Sequence, residues 1–153
     1  MGYRARMQRI ERSARINAAP DRLFAYLSDL DRLPEWQTGI VAAHRTSPGD
    51  LAVGSTATVT REMMGQRIEA PLRITEHEPP GRLAVQSEVS GVRALATFEL
   101  VPAGDAATTD LTFAMEIRGS GFTSFMEPMI ASAAKGDIDT SLERLMKRFE
   151  APA

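Results

Sequence analysis

An arginine set among apolar neighbours on one strand face poses a chemical question, because a guanidinium cannot shed its charge and needs an acceptor. In the stretch from Ser55 to Met64, Ala57, Val59, Arg61 and Met63 alternate with Thr56, Thr58, Thr60 and Glu62. Strict alternation turns Arg61 to the apolar side. There it can receive a carboxylate, phenolate or carbonyl of a bound molecule, or pair with a nearby glutamate; a register slip would instead put it outside. Arg12 poses the same question on a strand that can release it to solvent. Asp137, beside Gly136, either faces inward or pairs on the surface on the side of Lys135.

The remaining chemistry-bearing residues form no catalytic pattern. His44 and His77 are the two histidines, and their spacing makes no metal-ligand motif. His77 lies between Glu76 and Glu78 near a turn and reads as a solvated surface residue. Asp29, Asp31 and Glu35 read as helix-capping carboxylates, with Asp31 opening a short turn of helix. Gly119-Ser120-Gly121 lacks the lysine of a phosphate loop. With no cysteine there is no disulfide, no thiolate nucleophile and no cysteine-bound metal. Trp36, the single tryptophan, carries an N–H that wants an acceptor, so it either gates an interior or anchors its helix.

Composition bounds the rest. A chain of 153 residues fits one domain with a real core. The formal charge of −2 gives no long-range attraction to nucleic acid or an anionic membrane. No apolar run reaches the 18 residues of a membrane span. The amino end has no signal-peptide stretch, so the expected location is cytoplasmic and residues 1–6 are expected to be a loose leader.

The periodicity gives the elements that must position these groups. Residues 9–16 read as a strand with Ile10, Ala14 and Ile16 on one face. Pro20 and Asp21 suit a helix's first turn, and Leu23, Phe24 and Leu27 follow at helical spacing to about Ser28. A second short helix carries Leu33 and Trp36. From residue 38 the period becomes two. Strands are expected over Thr38–Arg45 and Ser55–Met64, a hairpin at Gly65-Gln66, and then strands carrying Ile68 to Ile74, Leu83 to Val89, Ala94 to Leu100 and Leu111 to Ile117. Pro71 marks an edge or a bulge. From Pro128 to about Glu150 the period returns to 3.6, with Ala131, Ala134, Ile138, Leu142, Leu145 and Phe149 as its stripe. The expected class is α+β, with about seven antiparallel strands curled around the long terminal helix.

Four segments resemble one family. Ile16 to Asp29 is similar to the opening strand and helix of the SRPBCC, or START-like, superfamily, and Leu33-Pro34-Glu35-Trp36 to its second short helix. Glu76-His77-Glu78-Pro79-Pro80-Gly81-Arg82-Leu83 resembles its turn, and Leu142 to Glu150 its closing helix. Within that superfamily the chain looks most like the polyketide cyclase/dehydrase-like branch. The resemblance implies a helix-grip domain over residues 7–151, with a cavity between sheet and long helix. It carries no cofactor or metal.

On that reading Trp36, Arg61, Met63, Leu72, Phe98, Phe113, Met115, Phe122, Phe125, Met126, Met129, Ile130 and Ala133 are the candidate ligand-binding residues. The small residues around Ala133 suggest a hollow under residues 122–136 and a plug under 138–149. The implied function is enclosure of a small apolar or amphipathic ligand such as a lipid, isoprenoid, quinone or polyketide. A metal-free cyclase or aromatase is the alternative, and a chaperone-partner interaction module the third reading. A homodimer is compatible with all three.

Overall fold

The structure, a computed structural model, describes residues 8–63, 65–89, 91–119 and 127–150. Seven strands form one antiparallel sheet in the order β1-β7-β6-β5-β4-β3-β2. They are β1 Gln8–Ile16, β2 Ile40–Arg45, β3 Thr56–Met63, β4 Gln66–Glu78, β5 Arg82–Val89, β6 Val92–Ala103 and β7 Thr108–Gly119. Because β1 and β2 lie at opposite edges, the segment between them must cross the sheet. It does so as helix α1 (Pro20–Ser28), a tight turn at Leu30–Arg32 and helix α2 (Leu33–Trp36). The long helix α3 (Glu127–Arg148) closes the fold; its 22 residues span about 33 Å. Among the described residues no helix is long and apolar enough to cross a membrane.

Pairing partners in a sheet point to the same face, so the register reads out the interior directly. One row runs Ile10, Met115, Ala96, Val85, Ile74, and the next Arg12, Phe113, Phe98, Leu83, His77. The core clusters around these rows and is closed by Leu23, Phe24, Leu27, Leu30, Leu33 and Trp36 from the short helices.

Among the described residues of α3, the fully buried apolar side chains lie in its second half. Ile138, Leu142 and Leu145 are buried, as is Phe149 just beyond the helix, and they pack over β1, β7 and α2. Ser132, Ala133, Lys135 and Gly136 are exposed and Met129 is 55% exposed. Ala134, among these exposed residues, is partly buried and packs against the core. Ser132, Ala133 and Gly136 face solvent and therefore line no hollow.

Three local readings change for physical reasons. The Asp31 carboxylate does not cap α2; its Oδ1 accepts the Arg45 N–H at 2.9 Å and so ties the turn to the end of β2. Asp29 and Glu35 are likewise in ion pairs with Arg32 rather than in caps. The hairpin after β3 closes one residue earlier than expected, since Gln66 already pairs with Met63.

Pro71 is neither on an edge strand nor in a bulge. Ile74 donates its N–H to the Ser55 carbonyl and accepts the Gly54 N–H, which turns Ile74 toward β3. Alternate residues Arg73 and Pro71 therefore face β5. A proline has no N–H to give, and the β4–β5 ladder ends at Leu72 and Ser87, one step before it.

Candidate functional site

The inner face encloses an apolar cavity of about 30 Å³. Its roof is Leu27, Leu30 and Leu33 from the short helices, and its floor includes Leu72, Val85, Ala96, Phe98 and Met115 from the sheet. Among the described residues, only Gln37, Arg61 and Ser87 bring polar side chains to its wall. The volume holds one or two water molecules, whereas organic ligands occupy pockets of about 300–1,000 Å³. A ligand must therefore widen the chamber.

A roomier cleft of about 140 Å³ lies on the outer face of the sheet. It is bounded by ion-paired groups: Arg9 bridges Glu11 and Glu116, and Arg82 bridges Glu76 and Glu99. Each cation there already has two carboxylates, so the cleft is an ion-pair network on the surface.

Arg61 is different. Burial pushes its guanidinium below the ordinary arginine range, and the charge of Asp137 opposes that shift. Among the described residues it makes no hydrogen bond and no close ion pair. Asp137 sits above it on α3, its carboxyl held above the usual carboxylate range by burial and partly restored by Arg61. Gly39 lets the chain pass beneath this aspartate: its φ is +93°, and a Cβ there would stand 3.6 Å from Asp137 Oδ2. The Gly39 carbonyl accepts the Glu62 N–H at 2.8 Å, and the Thr38 N–H donates to Ser141 Oγ at 2.8 Å. One strand end, one turn and one helix are thus pinned around the guanidinium.

Of the residues singled out from the sequence, Arg61, Leu72, Phe98 and Met115 line the cavity. Phe113 backs it, its ring 4.6 Å from that of Phe98. Trp36 is fully buried, edge-on to Phe98 at 6.0 Å and Phe113 at 6.3 Å, and its indole N–H has no acceptor. Met129 and Ala133 are exposed on α3 and are not among the residues that line the cavity. Phe122, Phe125 and Met126 lie outside the described residues, as do the side chains of Met63 and Ile130. His77 is half-buried rather than fully solvated, and packs edge-on against Phe24 at 5.4 Å.

Sequence reasoning missed the roof. Leu27, Leu30 and Leu33 recur every third residue, a spacing that one continuous turn of chain brings to one side. Arg45 was missed for a different reason. A bulge between Ile40 and Ala42 flips the parity of β2, so Ala43 and Arg45 pair with the inward Val59 and Ala57.

The sequence model of the family described as polyketide cyclase / dehydrase and lipid transport matches residues 7–150. The chain belongs to this family. The chain is similar to an uncharacterized protein of Mycobacterium tuberculosis, 24% identical over 144 residues that cover 94% of this chain and 99% of that one. Two solved structures have the same fold as this polyketide cyclase/dehydrase-like chain. A START superfamily protein from Mycobacterium smegmatis superimposes with a TM-score of 0.76 at 16% identity, covering 93% of this chain and 97% of its own. The Zhui aromatase/cyclase from a Streptomyces species gives 0.75 at 11% identity, covering 95% and 94%. The architecture is the helix-grip fold of the SRPBCC superfamily.

Chemically, the chamber of this family member offers a guanidinium, an amide and a hydroxyl inside an apolar shell. These can receive and orient oxygen acceptors. Among the described residues no cluster of side chains could hold a metal ion.

Proposed function

We propose that the protein encloses a small apolar or amphipathic molecule and receives its oxygen-bearing end at Arg61. The observation that carries this reading is a half-buried guanidinium in the wall of an apolar chamber, with no hydrogen-bond acceptor among the described residues. Such a donor is costly to bury unpaired, and a ligand oxyanion or carbonyl supplies what it lacks. The fold and family are compatible with lipids, isoprenoids, quinones and polyketides alike.

Native mass spectrometry of freshly purified protein, followed by denaturing extraction, tests the reading. A discrete adduct of a few hundred daltons, lost in Arg61→Met, is the expected result. An Arg61→Met protein that keeps the adduct at full occupancy would sink the role given to Arg61.

One observation favours a second reading, that of a cyclase. The Asp137 carboxyl has a raised pKa and lies within electrostatic reach of Arg61, which suits proton transfer near a polarised carbonyl. Incubation of the protein with the extracted molecule separates the two. Recovery unchanged supports carriage; loss of one water from its mass supports the enzyme.

A further inference from the structure

The described inner face of the sheet carries three arginines, and α3 brings a carboxylate toward two of them. Arg12 Nε binds Asp139 Oδ1 at 3.0 Å. Arg61 feels the charge of Asp137. The third is Arg45, turned inward by the β2 bulge and paired in register with Ala57. Its Nε and one terminal nitrogen are shut off from solvent with no hydrogen-bond partner. Asp31 accepts the backbone N–H of Arg45 at its Oδ1, and no ion pair joins it to the guanidinium. Buried donors of a charged group are the most expensive to leave unmade.

Arg45 and Arg61 face the same interior from adjacent strands. Arg45 stands opposite Ala57, four residues before Arg61 on β3, so their attachment points are about 13 Å apart along the strand. Between them the surface is apolar: Ile40, Ala43, Ala57 and Val59 from the sheet, Leu30 and Leu33 from above. The cavity as it stands ends at Arg61 and does not reach Arg45, but any organic ligand must widen it, and this row is a direction in which both cations become satisfied.

We infer that Arg45 is a second anion anchor, and that the ligand therefore carries an oxyanion or carbonyl oxygen at each end of an apolar body. This rests on the ligand-binding reading above and specifies its substrate class. The same chemistry could come from a free phosphate in place of a ligand's far end, so the test includes both.

Dodecanoate, dodecanedioate and inorganic phosphate are titrated into the wild type, Arg45→Gln and Arg61→Gln, by calorimetry and by the emission of Trp36. The wild type is expected to bind the dicarboxylate about tenfold more tightly than the monocarboxylate, the gain of one charge-assisted hydrogen bond. Arg45→Gln is expected to erase that gain and leave the monocarboxylate unchanged. In wild-type protein the Arg45 Nε–H resonance, assigned through its bonds to the Arg45 backbone, should shift with the dicarboxylate alone. This readout stands even where the variant folds poorly.

Equal affinity for both acids overturns the inference while leaving the ligand-binding reading intact. So does a resonance that phosphate shifts as strongly as the dicarboxylate. Absence of binding by either acid overturns both readings together.

Discussion

Arg61 and Asp137 share a field without sharing a bond. Each shifts the other's titration across the space between β3 and α3, yet no hydrogen bond joins them. The arrangement leaves both groups less stabilised than they would be in water, and it holds a donor ready at the cavity wall.

Removal of the cation should therefore raise stability. Replacing a whole buried ion pair with apolar side chains is often stabilising by about 1–4 kcal/mol, and Arg61 has no close ion-pair partner whose charge its removal would strand. Arg61→Met is expected to gain about 1 kcal/mol in urea unfolding while losing ligand. A variant that unfolds more easily than the wild type would show that Arg61 has a structural partner.

The raised pKa of Asp137 has a definite sign. Its folded-state value lies above the unfolded one, so its share of stability is present below the ordinary aspartate range and lost as pH rises through the folded value. Asp137→Asn removes this loss. The variant should match the wild type near pH 3 and exceed it at pH 7 in urea midpoint, and parallel curves would contradict the assignment.

Tyr26 gives a second titration. Its hydroxyl donates to Glu35 Oε1 at 3.0 Å, and burial first, with that hydrogen bond next, pushes its pKa up to about 12. Arg148 and Arg32 stack on the ring and pull the other way. Ultraviolet titration should show a tyrosine ionising near 12 that is absent from Tyr26→Phe. Because the folded value is raised, the stabilisation is complete below pH 10 and lost as pH rises through 12. Tyr26→Phe should cost about 1 kcal/mol at pH 7, and that cost should shrink in the alkaline range.

The two halves of α3 should respond oppositely to substitution. Leu145 is fully buried, and Leu145→Ala is expected to cost about 2–5 kcal/mol. Ala133 faces solvent, and Ala133→Leu should stay within about 0.5 kcal/mol of the wild type. Thermal melts of the two variants decide this, and a large effect at Ala133 would restore a hollow beneath that residue.

Trp36 reports on the chamber. It is fully buried against Phe98, a cavity-lining ring. Its emission should lie at the blue end of the tryptophan range and change when an apolar ligand enters. Insensitivity to a ligand that calorimetry shows bound would place that ligand elsewhere.

The sequence by itself determined the element order, the α+β class and the inward face of β3, because periods of two and 3.6 are local properties of the chain. It identified Arg61 on that basis, since β3 runs without a bulge from Ala57 to Met63. Tertiary structure alone decided what local periodicity cannot carry. The β2 bulge that turns Arg45 inward is a property of the pairing between two strands, and nothing in Ile40 to Arg45 announces it. The exposure of Ala133 follows from where α3 meets β1 and β7, which its own amphipathic stripe does not specify. The separate fates of three arginines, one paired, one merely within reach of an aspartate and one left alone, were set by which α3 residues came to lie above them. Burial and charge compensation are relations between distant segments, and those appear only once the sheet has closed on the helix.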